Sequence, residues 1–170
     1  MSARLAAAVA IVPELADHQS HLDAVFSAIS SVADSPAHRV HGDLHLGQTL
    51  RTSLGWKLVD FEGEPAKPLE ERRRPDSPWR DVAGMIRSLH YAAAATLRDL
   101  EPAADEAEQV ASRAREWVAH NVHELLEGYA EERGEPISAD ERALLDAYVA
   151  DKAVYEAAYE ARNRPSWLEI

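Results

Sequence analysis

Apolar residues recur at helical spacing along most of this 170-residue chain, and one short β-like island interrupts the pattern. The first amphipathic stretch covers residues 17–32 and ends at the Ser35-Pro36 break. Three more helices are predicted, beginning at residue 77, at about residue 103 and at Ser138. The chain is therefore predicted to be mainly α with a small β-hairpin, folded as a single domain over residues 1–170.

Capping residues set the boundaries of the later helices. Ser77 followed by Pro78 is typical of an N-cap and a first turn. Ser138 with Glu141 predicts a capping box at the start of the last helix, which runs to about Arg162. The second of these helices spans about residues 103–132. The residues predicted to point inward on the first two are Val82, Met85, Ile86 and Leu89, and Val110, Trp117 and Leu125.

The β-like island lies between residues 38 and 61. Residues 48–51 and 56–61 are predicted to be two strands joined by the turn "TSLG", in which Gly55 can adopt a positive φ. Residues 38–40 are predicted to be a short strand before them. Residues 63–78 contain four prolines and a run of charge, which indicates a surface loop.

Composition and charge limit the class of protein. The formal net charge is -12, which disfavours a nucleic-acid partner because phosphate backbones require a basic face. The chain has no cysteine and therefore no disulfide or thiolate metal site. The apolar run at residues 5–12 is too short to cross a membrane and lacks a signal-peptide pattern. We expect a cytoplasmic protein with no membrane partner.

Polar residues concentrate in "VHGDLHLGQTL", just before the predicted hairpin. Asp43 is followed five residues later by Gln48, and Asp60 ends the second strand. Phosphoryl transfer needs an acceptor for the proton of the attacking hydroxyl, and an Asp on a rigid loop supplies one. Magnesium prefers hard oxygen ligands, which a carboxylate and a carboxamide provide. Since a hairpin returns on itself, we expect Gln48 and Asp60 to lie close together.

Other interpretations of these residues stay open. Asp43 also suits a turn or a helix cap, and His41, Asp43 and His45 together suit a zinc site. For His41 and His45 we favour a structural role, orienting the loop through hydrogen bonds. The "ERRR" run is more typical of a solvated face than of a phosphate clamp.

"HGDLHLGQ" with "VDFEGEP" resembles the aminoglycoside phosphotransferase-like branch of the protein-kinase fold. Within it, the chain is most similar to actinobacterial maltokinases and their glucosamine-kinase relatives. Residues 80–92 and 151–170 resemble later helices of the same family, so the resemblance extends from about residue 39 to the end. It implies a helical C-terminal lobe, with a catalytic loop at 39–50, a metal-binding hairpin at 48–63 and a sugar-binding part at 77–170.

The resemblance also implies residue roles. Asp43 would be the catalytic base, Gln48 and Asp60 would bind Mg²⁺, and ATP would be the co-substrate. Two positions depart from the wider kinase pattern. Gln48 replaces the usual Asn, as is common in maltokinases, and Glu62 replaces the glycine of "DFG", so no kinase-like activation-loop switch is expected.

The family's N-terminal ATP lobe has no counterpart in the sequence. None of the seven glycines belongs to a phosphate-binding Gly-rich loop, and the three lysines lie outside any "VAIK"-like strand. We therefore expect this chain to correspond to the C-terminal part of a longer enzyme, with the missing N-terminal lobe as its partner. Alone, it is expected to be inactive.

The last helix carries candidate sugar ligands. Lys152, Glu156 and Glu160 are spaced four residues apart on one face, with Tyr155 and Tyr159 beside them. The same pattern is equally typical of surface ion pairs over a tyrosine core. The resemblance favours a sugar site, for which the predicted residues are Asp81, Lys152, Glu156, Tyr159 and Trp167. Asp81 also suits the dipole at the start of its helix.

We expect maltose as the substrate, phosphorylated as by a maltokinase. The alternative is glucosamine, whose ammonium would be held by one or two acids through charge-assisted bonds. A second alternative is a non-catalytic helical module that binds a sugar or a protein. Against it stands the presence of Asp43, Gln48 and Asp60 together, since such a module needs none of them.

Overall fold

The computed structural model describes residues 1–32, 36–65 and 67–168. Over these residues the chain is mainly helical with one two-stranded sheet, which confirms the predicted content. Short 3-10 turns occupy Pro13–His18, Ile29–Ser31, Leu46–Gln48 and Pro165–Trp167. The main elements are α1 (Ser2–Val9), α2 (Gln19–Ala28), β1 (Thr49–Thr52), β2 (Gly55–Leu58), α3 (Leu69–Arg72), α4 (Trp79–Leu100), α5 (Ala107–Arg133) and α6 (Ala139–Asn163).

Helix α6 is shared by two hydrophobic cores. The first joins it to α4 and α5 through the buried side chains of Trp79, Val82, Ala83, Ile86, Leu126 and Leu145. The second joins it to α1 and α2 through Leu5, Ala8, Phe26, Ala147 and Val154. Since α6 is packed on two sides, its backbone is held with respect to both α4 and α1.

The hairpin exposes apolar side chains on both of its faces. In the antiparallel register Thr49 faces Leu58, Leu50 faces Lys57 and Arg51 faces Trp56, so Leu50 lies on one face and Leu58 on the other. Leu50 is 50% exposed and Leu58 is 45% exposed. An uncovered two-stranded hairpin is marginally stable in water.

Most predicted elements are confirmed with small shifts. The capping box is present, with the Ser138 side chain accepting from the Glu141 amide, and α6 ends one residue beyond Arg162. The predicted strands overlap β1 and β2, although β2 already ends at Leu58. At the start of α4, Pro78 occupies the capping position, one residue later than predicted, while Ser77 Oγ accepts from the Trp79 amide.

Several predictions were wrong. Residues 17–32 form a 3-10 turn, α2 and a second 3-10 turn rather than one helix, and residues 38–40 contribute only an isolated bridge between His38 and Asp76. The 63–78 loop contains the short helix α3, and α1 was not anticipated. Ser35, predicted to break the first helix, lies outside the described residues.

Trp117 was predicted to lie in the core but is 45% exposed. The residue after it, Val118, is buried instead. It belongs to an i, i+3, i+4 series that faces the core: Val118, Val122, Leu125, Leu126 and Tyr129. No helix within the described ranges has both the length and the apolar character needed to cross a membrane.

Candidate active site

Helix α4 holds the loop that carries Asp43. The Asp81 carboxylate accepts from the backbone amides of His41 and Gly42, at 2.6 and 2.9 Å respectively. The Arg80 guanidinium donates to the Gly42 carbonyl at 3.1 Å. Gly42 has a φ of +83°, which favours glycine at this turn. Two side chains of α4 therefore fix the backbone immediately before Asp43.

Gly84 allows α4 to approach the same loop closely. A Cβ at this position would lie 2.5 Å from the backbone carbonyl oxygen of Leu44. One turn further along α4, Ser88 Oγ accepts from the Leu46 amide at 3.0 Å. The loop is thus seated on α4 on both sides of Asp43.

His41 joins this loop to the end of the hairpin. Its side chain is 5% exposed, and Nε2 donates to the Val59 carbonyl at 2.7 Å, since a carbonyl only accepts. Its ring lies 4.8 Å from that of Phe61. His45 acts within the loop, where Nδ1 accepts from the Gly47 amide at 3.1 Å. Both histidines hold backbone near Asp43, the arrangement expected of loop-orienting residues.

Gln48 and Asp60 meet across the base of the hairpin. Gln48 Nε2 donates to Asp60 Oδ2 at 2.9 Å, and the Val59 amide donates to the Gln48 carbonyl at 3.0 Å. Asp60 is exposed and has a φ of 64°. The pair fits Mg²⁺ in donor chemistry, because it offers carboxamide and carboxylate oxygens.

The zinc alternative finds no support. In the part of the chain that the structure describes, no three His, Asp or Glu side chains group closely enough to hold a metal ion. His41 Nε2 is already committed to the Val59 carbonyl and His45 Nδ1 to the Gly47 amide.

Asp43 lines a cleft of about 250 Å³ formed by α1, α4, α6 and the loops between them. Lys152 Nζ lies 3.5 Å from Asp43 Oδ1. Arg4 of α1 forms an ion pair with Asp151 at 2.7 Å, so the N-terminal helix contributes to this wall. The cleft therefore mixes paired charges of both signs around the candidate base.

Four groups that line this cleft have shifted pKa values. Burial is the main cause that raises the pKa of Tyr148 and of Tyr155, whereas the pKa values of Lys67 and Asp76 are lowered. Burial lowers the pKa of Lys67, and the neighbouring Arg80 and Arg4 lower it further. Burial alone raises the pKa of Asp76, but hydrogen bonds from Tyr148, Arg80 and the Ser77 amide bring that pKa below its ordinary value. Asp76 is therefore held as a carboxylate that anchors the start of α4 to α6.

A second cleft, of about 320 Å³, lies along the next turns of α6. Glu156 is ion-paired with Arg87 at 2.9 Å. Glu160 is buried and accepts from Tyr91 and Arg164. Burial, followed by the hydrogen bond to Glu160, raises the pKa of Tyr91 to about 12. Both carboxylates in this cleft already have cationic or hydroxyl partners.

The predicted sugar residues are divided between the two clefts. Asp81 and Lys152 line the first cleft, whereas Glu156 and Trp167 line the second. Tyr159 lines neither and is 45% exposed.

Trp167 is not a free stacking platform. Its ring lies nearly parallel to that of Tyr91, with centroids 5.5 Å apart, and the Arg98 guanidinium is 3.5 Å from its centroid. A sugar ring would have to compete with these contacts or use the edge of the indole.

Several residues that build the site were not predicted from the sequence. Arg80, Gly84 and Ser88 hold the loop from α4, and Arg4 reaches the cleft from α1. Only Gly84 carries a local signal, since a glycine in a helix interior usually has a packing reason.

No family model matches the chain, but curated glucosamine kinases are similar to it. The chain is 31% identical over 149 residues to a glucosamine kinase of Mycolicibacterium smegmatis (strain ATCC 700084 / mc(2)155), covering 88% of this chain and 36% of that protein. It is 30% identical over 164 residues to a glucosamine kinase of Streptacidiphilus jiangxiensis, covering 93% of this chain and 34% of that protein.

Solved structures of glucosamine kinases are also similar to this chain. A glucosamine kinase in crystal form B matches 99% of this chain and 42% of its own, with a TM-score of 0.83 and 26% identity. A glucosamine kinase in complex with glucosamine, ADP and inorganic phosphate matches 99% of this chain and 40% of its own, with a TM-score of 0.81 and 26% identity. The chain spans about a third of the length of the curated relatives it matches.

Gly84→Ala should destabilise the protein and displace the loop that carries Asp43. Alanine normally stabilises a helix interior relative to glycine, but here its Cβ meets a backbone carbonyl that cannot swing away. We expect a loss of about 1–3 kcal/mol in the free energy of unfolding, measured by denaturant titration.

The control is Gly128→Ala in α5, where an added Cβ meets nothing within 4 Å. That variant should gain up to about 1 kcal/mol. Equal stability of the two variants would show that α4 and the loop are not in tight contact.

Proposed function

We propose that this chain is the catalytic and sugar-binding part of an ATP-dependent glucosamine kinase. The observation that carries the proposal is the connected set formed by Asp43, His41 and the Gln48–Asp60 pair. The bond between His41 Nε2 and the Val59 carbonyl ties the candidate base to the candidate metal ligands. The similarity to glucosamine kinases over 88% and 93% of the chain supports the same activity.

In the proposed reaction Asp43 accepts the proton of a sugar hydroxyl. The hydroxyl oxygen forms a bond to the terminal phosphorus of ATP, the bond from that phosphorus to the bridging oxygen breaks, and ADP leaves with the electron pair. Asp81, Arg80 and Ser88 keep the Asp43 loop in place through hydrogen bonds to its backbone. Such positioning accounts for much of the catalysis in phosphoryl transfer.

Gln48 and Asp60 are the residues that would hold Mg²⁺. When bound, this ion would neutralise charge on the nucleotide phosphates. The hydrogen bond of 2.9 Å from Gln48 Nε2 to Asp60 Oδ2 holds the two side chains together. The proton transfer to Asp43 does not depend on either of them directly.

Glucosamine replaces maltose as the preferred substrate. The comparisons support glucosamine, the alternative substrate, rather than maltose, since the relatives reported above are glucosamine kinases. The second cleft contains two carboxylates, and Glu156, with 22% of its side chain exposed, is the more accessible of the two. We propose that Glu156 receives the sugar ammonium through a charge-assisted bond.

The hairpin gives a reason to expect a further segment over the nucleotide. Exposed apolar residues lie on both faces of the hairpin, at its turn and just after its second strand: Leu50, Leu54, Trp56, Leu58 and Phe61. Because a bare two-stranded hairpin is marginally stable, we propose that an N-terminal lobe outside this chain covers it and encloses ATP.

This chain, together with the proposed N-terminal lobe, should phosphorylate glucosamine. Asp43→Asn should remove nearly all of this activity. Asparagine keeps the shape of the side chain and loses its basicity. We expect kcat to fall by about 10²- to 10⁴-fold with little change in thermal stability, measured by ADP release and by calorimetry. Near-normal turnover of the variant would disprove the assignment of the base.

Glucosamine and maltose, compared at matched concentrations, should separate the two substrates. We expect phosphorylation of glucosamine and not of maltose, and phosphorylation of maltose alone would overturn the choice. Glu156→Gln should raise KM for glucosamine by about 10- to 100-fold, because the ammonium loses a charged partner. Glu127→Gln, an exposed position on α5, is the matched control and should leave KM unchanged.

The 170-residue chain alone should bind Mg-ATP weakly, since the proposed covering segment is outside it. Isothermal titration calorimetry measures this directly. Micromolar binding by the isolated chain would show that the nucleotide site is already complete here.

A further inference from the structure

Lys152 occupies a singular position beside the candidate base. Its ammonium lies 3.5 Å from Asp43 Oδ1, and the Lys152 and Asp43 side chains are only 26% and 21% exposed. Among the residues that the structure describes, no other cation forms an ion pair with Asp43. The contact links helix α6 to the catalytic loop across the first cleft.

Two neighbouring cations in the cleft have other partners. Arg4 pairs with Asp151 at 2.7 Å, and Arg80 pairs with Asp76 at 2.9 Å. Lys67 also lines the cleft, but within the described part of the chain the ion pair to Asp43 comes from Lys152, which is therefore best placed to act on a group that approaches Asp43. Its helix is held between two cores, by Leu145 in the first and by Ala147 and Val154 in the second, which limits how far its backbone can move.

The charge of Lys152 argues against the sugar contact predicted for it from the sequence. Glucosamine carries an ammonium group, which another ammonium repels. The transferred phosphoryl group is anionic and must come next to Asp43, because the hydroxyl that Asp43 deprotonates attacks its phosphorus. Two anions side by side need a cation between them.

We propose that Lys152 is a catalytic residue that contacts the transferred phosphoryl group rather than the sugar. This inference rests on the proposed kinase function. In the resting protein Lys152 pairs with Asp43. As the sugar oxygen bonds to phosphorus and its proton passes to Asp43, the carboxylate loses its charge and the ammonium bonds instead to the phosphoryl oxygens. Lys152 keeps its own proton throughout, and ADP departs with the electrons of the broken bond.

The inference is tested by measuring kcat and KM separately for Lys152 variants of this chain together with the proposed N-terminal lobe. Lys152→Met should lower kcat by about 100-fold or more, as expected for a lost charge contact in the transition state. KM for glucosamine should change by less than about threefold. Lys152→Arg keeps the cation and should recover at least about a tenth of the wild-type kcat.

Two controls make each outcome decisive. Arg142→Met removes an exposed cation from the same helix and should leave kcat and KM unchanged. Melting temperatures of all variants identify any loss of fold. If Lys152→Met does not fold, the kcat of Lys152→Arg decides whether the cation is needed. A raised KM for glucosamine with kcat preserved would return Lys152 to the sugar site, and unchanged kinetics in Lys152→Met would remove it from the reaction.

The outcome is distinguishable from a failure of the kinase proposal. Wild-type turnover together with an inactive Asp43→Asn variant establishes the proposed function, and the Lys152 variants then decide this inference alone. If the wild type fails to phosphorylate any sugar, both proposals fall together.

Discussion

The carboxylate of Asp81 is the contact on which the rest of the site depends. It accepts two backbone amides, from His41 and Gly42, across 40 and 39 residues of sequence. Hydrogen bonds to a charged acceptor contribute about 1.5–3 kcal/mol each, more than neutral ones. Without them, the hydrogen bonds described between the loop and α4 would be reduced to those of Arg80 and Ser88. This use of both oxygens favours loop positioning over sugar binding for Asp81.

The loop transmits that constraint to the hairpin. His41 is held at its amide by Asp81 and at Nε2 by the Val59 carbonyl, and Val59 in turn pairs with Gln48. One chain of hydrogen bonds thus runs from α4 through the Asp43 loop to the Gln48–Asp60 pair. The hairpin needs this support, because apolar side chains on both of its faces are exposed.

Local patterns in the sequence predicted local structure well. The capping box, the hairpin and the proximity of Gln48 to Asp60 all follow from spacing over a dozen residues or fewer. The loop-holding roles of Arg80, Gly84 and Ser88 depend on contacts across about forty residues, which periodicity does not encode. The division of the sugar residues between two clefts was missed for the same reason. A shared helix face places Lys152 and Glu156 together but does not show what each meets.

Lys152 and Glu156 place opposite charges beside different clefts along one helix. Lys152 and Glu156 are four residues apart on α6, which corresponds to about 6 Å along its axis. Lys152 lies at the end facing Asp43, where the proposed reaction brings an anion, and Glu156 lies at the end proposed for the sugar ammonium. An amino sugar bound in this orientation has its positive charge next to a carboxylate and away from Lys152. The reverse orientation would bring two ammonium groups together, so the charges on α6 favour one direction of binding.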